Sequence, residues 1–480
     1  MIKIRWFIVG VHFLLALQAF AQHNSAVSDR YTPTNSVLLN PASIADPRPF
    51  VDFRLVGVSA QAENNLYLLP GGNITNTINA DVEDGVKYNA AVNADIYLPA
   101  MVIAKGYRSF GFNIRQRNMV YGKNVTSDVA GFIKNGLNYP RQHNQVYNSD
   151  NFYVKYMSWA ELGLNYAQII KRDGDVIMTA GGSLKLLNGM GHLAMLVDNQ
   201  TYEVDSLHVN IHSTQSKMGL STPGASLGMG VGADLGFEFR KMLTDDNAFH
   251  TPHSVRSKCG IKEYKYKFGV SLIDLGFINF KRSTYHWAFE NDSIFWNNYE
   301  TNNIDGITKM NTVLTNSSAN AGSTLENKNK FTALMPLALN AQFDYNLENN
   351  FFFYSSLELG LHQRLTMGTE RVSRLSLIPR YERERITAAL PVTISRHQKP
   401  GLGFYLRAYF FSIGTNNFVP LLLKNDTYGA DVYVSLNWQI LHSKPCQTYF
   451  KKRKDYCPKP TRNFFKKKKK KPRELNLEWK

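Results

Sequence analysis

Hydrophobic and polar positions alternate along most of this chain, and the longest unbroken alternation is residues 225–240, ASLGMGVGADLGFEFR. Leu227, Met229, Val231, Ala233, Leu235, Phe237 and Phe239 fall on one side of an extended strand. Gly228, Gly230, Gly232, Asp234, Gly236, Glu238 and Arg240 fall on the other, because side chains alternate faces along a strand. Strands of soluble proteins average about 5–6 residues, whereas a strand crossing a bilayer at a tilt needs about 9–11. A run of this length, apolar on one face and small or polar on the other, predicts a membrane-crossing strand with its polar face turned to a lumen.

The same pattern recurs on both sides of it. Residues 51–60 are a first strand. Residues 93–104 are a second, in which Pro99 predicts an end or a bulge. Phe110, Phe112 and Ile114 then alternate with Gly111, Asn113 and Arg115. Residues 160–167 and 176–187 read as a hairpin across Arg172-Asp173-Gly174-Asp175. In 202–212 the alternation is broken, as in a loop hairpin. Residues 264–275 and 276–287 read as one strand going out and one returning. Residues 337–345 and 351–363 pair across Leu347-Glu348-Asn349-Asn350; 385–396 and 401–412 form another hairpin; 430–440 close the series. Between them lie polar stretches: 120–149, with a short helix at 128–135, and the Asn-, Thr- and Ser-rich 290–330, an expected extracellular loop or lid. With about 13–15 strand candidates and the even count of single-chain bacterial barrels, the expectation is an all-β, antiparallel, up-and-down transmembrane β-barrel of about 14 strands, residues 51–441.

The ends change the picture. Lys3 and Arg5, an apolar core at 6–17 and Ala19-Phe20-Ala21 read as a secretory signal peptide over 1–21. Residues 22–50 are polar and turn-rich, an N-terminal periplasmic segment ahead of the first strand, which the resemblance given below implies to be a plug. The formal charge of +17 sits mostly in the last residues: from Lys444 on, 15 Lys or Arg face 3 Asp or Glu. The body is close to neutral, which argues against a nucleic-acid-binding body. Residues 442–480 are expected to be a solvated basic tail on the periplasmic side. A sharper reading docks the tail on an acidic envelope protein or on anionic headgroups, through Phe464 and Phe465 beside Lys466, Lys467, Lys468, Lys469, Lys470 and Lys471. Of three cysteines, Cys259 stands alone, while Cys446 and Cys457 are close enough for a small disulfide loop; two unpaired thiols are the equal alternative.

No metalloprotease, phosphate-loop, dinucleotide or nucleophile-elbow pattern is present, so a non-enzymatic protein without cofactor or metal is expected. Asp234, Glu238, Arg240, Asp344 and Asp431, with Glu358 and Arg407, are read as a lumen-facing polar network, since an Arg or Lys on the lipid face would cost about 2–4 kcal/mol at the bilayer midplane. The glycine stripe at 228–236 is read first as easing strand curvature, and second as leaving room for a plug.

Asn40-Pro41-Ala42, shortly before the first strand, and Leu272-Ile273-Asp274-Leu275-Gly276-Phe277 resemble outer-membrane barrels of an uncharacterised Bacteroidetes family. These are similar to the long-chain fatty-acid transporter superfamily, with its PorV-like and PorP/SprF-like barrels associated with type 9 secretion. The resemblance implies that Asn40, Pro41 and Ala42 pin a plug inside the barrel. The basic tail is no part of the transporter pattern. The expected function is therefore an outer-membrane scaffold or docking component of an envelope assembly. The alternatives are a channel for hydrophobic small molecules and an outer-membrane enzyme acting on lipid.

Overall fold

In the computed structural model the alternating segments pair in sequence order and the last closes on the first. The structure describes residues 24–456 except 69–77, 80–81, 246, 248–249, 260–261, 300–306, 362–365, 396–399 and 419–428. The expected signal peptide, Cys457 and the segment from Phe464 to Lys471 lie outside the described residues. The wall is a closed antiparallel barrel of 14 strands. They are β1 (Val51–Asn64), β2 (Tyr88–Lys105), β3 (Arg108–Val125), β4 (Val146–Asp173), β5 (Val176–Val204), β6 (Gly228–Met242) and β7 (Tyr264–Phe280). The circuit continues through β8 (Ala338–Asn346), β9 (Phe351–Gly360), β10 (Arg374–Glu382), β11 (Ile386–Ala389 and Val392–Ser395), β12 (Gly401–Leu402 and Phe404–Ala408), β13 (Phe411–Thr415) and β14 (Gly429–Ile440). β14 pairs with β1 from Ile440 opposite Val51 to Gly429 opposite Glu63, which removes the last free edge.

The two faces follow the alternation. Met229, Val231 and Leu235 of β6 and Leu184 and Leu186 of β5 point outward and are exposed, while Asp234, Glu238, Arg240 and Lys185 point inward and are buried. A closed sheet with an apolar outer band satisfies every backbone group internally, which is what lipid demands. Chain entry and exit share one rim, where the turns at 106–107, 174–175, 347–350 and 409–410 are short. Short turns mark the periplasmic rim of such barrels.

Four sequence expectations are corrected. Residues 264–287 do not reverse at Leu275-Gly276: β7 runs through, and the irregularity is a β-bulge between Leu272 and Leu275. The stretch 290–330 carries structure of its own, with a strand Asp292–Asn297 and a helix Ile307–Asn320. Its elements are short and Asn-rich, so no period shows. The chain beyond His442 begins with a helix, Lys444–Tyr456. Finally, Cys446 is bonded to Cys259, not to Cys457. Sequence spacing reports only which local loop could close; barrel topology brings Cys259, in the connection between β6 and β7, and Cys446, in the helix after β14, to the same rim.

β4 and β5 have 28 and 29 residues, against the roughly 10 that cross a bilayer. Their outermost residues extend past the ends of the neighbouring β3 and β6. There His208–Ser221 pairs along β5, and Thr284–Phe289 and Asp292–Asn297 pair along it in turn. The helix Ile307–Asn320 closes this extension over Trp287, Phe289 and Ile294.

Candidate functional site

The lumen is filled in three layers, and the lowest is the N-terminal segment. Two short helical turns, Asn24–Ser28 and Pro33–Ser36, and the 3-10 turn Pro41–Ala45 lie inside the wall. Proline at the first helical position suits that turn, because its missing N–H would have no partner there. Asn40 caps it: its Oδ1 accepts the Ala42 N–H at 3.0 Å, and its Nδ2 donates to the Phe237 carbonyl at 3.3 Å. Thr179 Oγ1 donates to the Ala42 carbonyl at 3.1 Å, and Ser271 Oγ to the Leu39 carbonyl at 2.5 Å.

The wall beneath this turn is made of glycine. Gly181 of β5 stands opposite Gly236 of β6, and Gly269 lies on β7 beside them. A Cβ on Gly181 would stand 2.6 Å from the Pro41 carbonyl carbon, one on Gly269 2.8 Å from Asn40 Nδ2, and one on Gly236 would collide with Asn40 Oδ1. The stripe therefore has two uses. Gly236 seats the plug, whereas Gly228 and Gly230 let the backbones of β6 and β7 approach closely.

Ion pairs fasten the rest of the plug. Asp29 bonds Arg407 at 2.6 Å, and Arg30 bonds Glu382 at 2.5 Å and Glu263 at 2.8 Å. Asn35 donates to Tyr433 Oη at 2.9 Å. At the periplasmic end Asp46 meets Arg240 at 3.2 Å and His250 at 3.5 Å, and His253 contacts the Pro47 carbonyl. Burial pushes the Asp46 carboxyl up, but the facing His250 and Arg240 outweigh it and hold it well below the usual range. Burial likewise pushes Glu263 up, and Arg30 and Arg48 bring it below its ordinary value. Burial lowers His253.

Above the plug lies a belt of buried charge centred on Asp274. This residue occupies the bulge with φ of 59°, a left-handed conformation that aspartate tolerates better than most residues. The bulge leaves both Ile273 and Asp274 buried, side by side in sequence. Asp274 receives Arg371 at 2.5 Å, Lys185 at 2.7 Å and Arg117 at 2.8 Å, and its own N–H bonds Asp234 at 2.8 Å. Lys185 also meets Asp234 at 2.7 Å, and Arg115 meets Glu161 at 2.6 Å. Buried cations and carboxylates of β3–β7 and the Arg371 segment thus pair with one another in one network.

The third layer is apolar. Met119, Tyr121, Tyr153, Met157, Trp159, Leu187, Ile278 and Phe280 turn inward above the belt and pack with Met335, Met367 and Val372. Four of its members are methionines, which makes the layer adaptable, since an unbranched thioether side chain repacks around differing shapes.

Of the residues expected from the sequence, Asn40, Pro41 and Ala42 are buried in the plug, and Asp234 in the belt. Glu238 and Arg240 pair at 2.5 Å below it, and Asp344, two strands away on β8, bonds Arg380 at 2.7 Å. Asp431 accepts from Thr415 at 2.6 Å and from the Asn416 N–H at 2.7 Å. Sequence reasoning missed Asp274, Arg117, Lys185 and Arg371. The available signal was the break in alternation at Ile273-Asp274, inside a stretch already singled out. Among the described residues no three His, Cys, Asp or Glu side chains converge to hold a metal ion.

Comparison with known proteins gives one family match: the model of a family of unknown function, DUF5723, covers residues 41–416. No curated protein matches. Among solved structures, the toluene transporter TodX of P. putida aligns over 85% of this chain and 94% of its own, at 10% identity and a TM-score of 0.39. The Ralstonia pickettii toluene transporter TbuX aligns over 85% and 93%, at 9% identity and 0.39. The ferric yersiniabactin uptake receptor FyuA of Yersinia pestis aligns over 75% and 48%, at 8% identity and 0.24.

Proposed function

The chain belongs to DUF5723, a family of unknown function, and from its own geometry we propose that it is an outer-membrane channel that takes up small apolar molecules from outside the cell. The observation that carries this reading is the packed, methionine-rich apolar layer in the external half of the lumen, set above an ion-paired charge belt and a pinned plug. A barrel serving only as a wall anchor has no need of apolar side chains turned inward, where polar ones cost nothing. The compartment selects for apolar cargo by burial, at about 25 cal/mol per Å² removed from water. The belt and plug prevent free leakage, so transit requires both to rearrange. The test is saturable binding of a naphthylamine fluorescent probe by the purified barrel. Met157→Glu and Leu187→Glu, each placing a carboxylate in the compartment, should abolish binding while the barrel keeps its heat-modifiable migration. Binding that survives both substitutions would overturn the reading.

One observation favours docking as a second activity. The Cys259–Cys446 bridge and the Ser443 hydroxyl, which donates to the His253 carbonyl at 2.9 Å, fasten the helix Lys444–Tyr456 to the periplasmic rim. The sequence that follows this anchored helix is basic, a composition suited to an acidic protein or anionic headgroups. Affinity purification of the full chain should recover a partner that a chain ending at residue 456 does not; identical co-purifying sets would exclude it.

A further inference from the structure

We propose that residues 366–373 are the external gate of the apolar compartment, and that Met367 and Val372 fill in the closed state the space the cargo fills in the open one. The inference rests on the uptake reading and adds its regulation. Connections between strands normally run over the surface, because their backbone polar groups need water. This one, between β9 and β10, turns into the bore: Met367, Thr369, Glu370, Arg371 and Val372 are all buried. Met367 and Val372 are members of the same apolar cluster as Met157, Trp159 and Leu187 on the wall. A segment with no secondary structure of its own thus supplies the compartment with its filling.

The segment is held by charge. Glu370 bonds Lys155 at 2.9 Å and accepts from Tyr153 Oη at 2.9 Å. Arg371 reaches down to the belt, meeting Asp274 and Glu358 at 2.5 Å each. His192 Nε2 contacts the Met367 carbonyl. All five wall partners stand on β4, β5, β7 and β9, so the rigid side of each contact is the barrel and the movable side is the loop. The backbone lies so close to the wall that a Cβ on Gly368 would collide with the Leu334 carbonyl, and one on Gly360 with the Arg371 carbonyl. The closed position is therefore specific, and the proposal requires that removing its steric fit or its Glu370 contact shift the segment outward. Withdrawal would uncover an apolar cavity and would free Arg371 from Asp274, coupling the gate to the belt below.

A protein whose binding-competent state is a small fraction of the population binds with an affinity reduced by that fraction. The experiment measures the apparent Kd of the naphthylamine probe for four purified barrels: wild type, Glu370→Gln, Gly368→Val, and a chain with 366–372 replaced by a Gly/Ser linker of equal length. The three variants should bind at least about tenfold more tightly than wild type, as expected when a mostly closed equilibrium is opened. The linker replacement keeps the test decisive should either point variant fold poorly. If wild type binds the probe and the linker replacement leaves its Kd unchanged, the gate is overturned and the uptake reading stands. If none of the four binds, the uptake reading fails and the gate falls with it.

Discussion

A methyl group at Gly236 would collide with Asn40 Oδ1 and stand 3.0 Å from the Ala42 N–H. Gly236→Ala should therefore unseat the plug at a cost of about 1–3 kcal/mol, the usual range for overpacking a fitted site. The readout is protease cleavage within residues 24–50, with the barrel's own thermal transition retained. Gly122→Ala is the control, since its Cβ would meet nothing closer than 3.9 Å. Asp274→Asn tests the belt. Asparagine tolerates the left-handed backbone, but Arg117, Lys185 and Arg371 then share one carboxylate fewer. Breaking a buried pair by removing one partner costs about 3–5 kcal/mol, and the variant should lose thermal stability accordingly. The two residues differ in legibility. Asp234, Glu238 and Arg240 share one phase of an unbroken alternation, so their common face could be read directly. Asp274 could not be assigned by phase, because the bulge that aims it inward adds a residue and shifts the register.

At the scale of elements, the strands were readable wherever one face met lipid, because there the alternation is enforced at every second residue. β6, β8, β9 and β14 are such strands. The outermost part of β5 pairs with His208–Ser221 instead of a membrane-facing wall strand, and the alternation there is weaker. The helix Lys444–Tyr456 was hidden for a different reason. Its sequence is strongly basic, and its position depends on a bridge to Cys259, 187 residues away. A covalent contact of that range has no local signature. The bridge should matter to the rim and not to the wall. Cys446→Ser should raise amide exchange at 250–259 and 444–456 while exchange in β1–β14 stays unchanged. Increased exchange throughout the barrel would show that the bridge holds the wall itself.

Across the whole molecule, closure at the periplasmic side rests on short polar contacts between plug and wall, and those contacts set its response to pH. The groups facing Asp46 are Arg240, His250, His253 and Glu238, and those facing Glu263 are Arg30 and Arg48. Asp46 and Glu263 are both held below their ordinary values of 3.8 and 4.5. A carboxylate lowered in this way stabilises the docked plug fully above its ordinary value, and the contribution is lost as pH falls through the lowered one. His253 acts in the same direction. Burial holds it below its ordinary 6.5, so the docked plug disfavours its proton, and docking weakens as pH falls below that value. Both effects predict a plug that is secure at neutral and mildly alkaline pH and loosens on acidification, first modestly below about 6.5 and then steeply below about 4. The measurement is the rate of proteolysis within 24–50 by an acid-tolerant protease, normalised to an unfolded peptide of the same sequence at each pH. His253→Gln should remove the first part of the response, and Asp46→Asn the larger share of the second. A cleavage rate independent of pH down to 3 would mean that the buried contacts of Asn40, Thr179 and Ser271, which do not titrate, hold the plug without help from its charges.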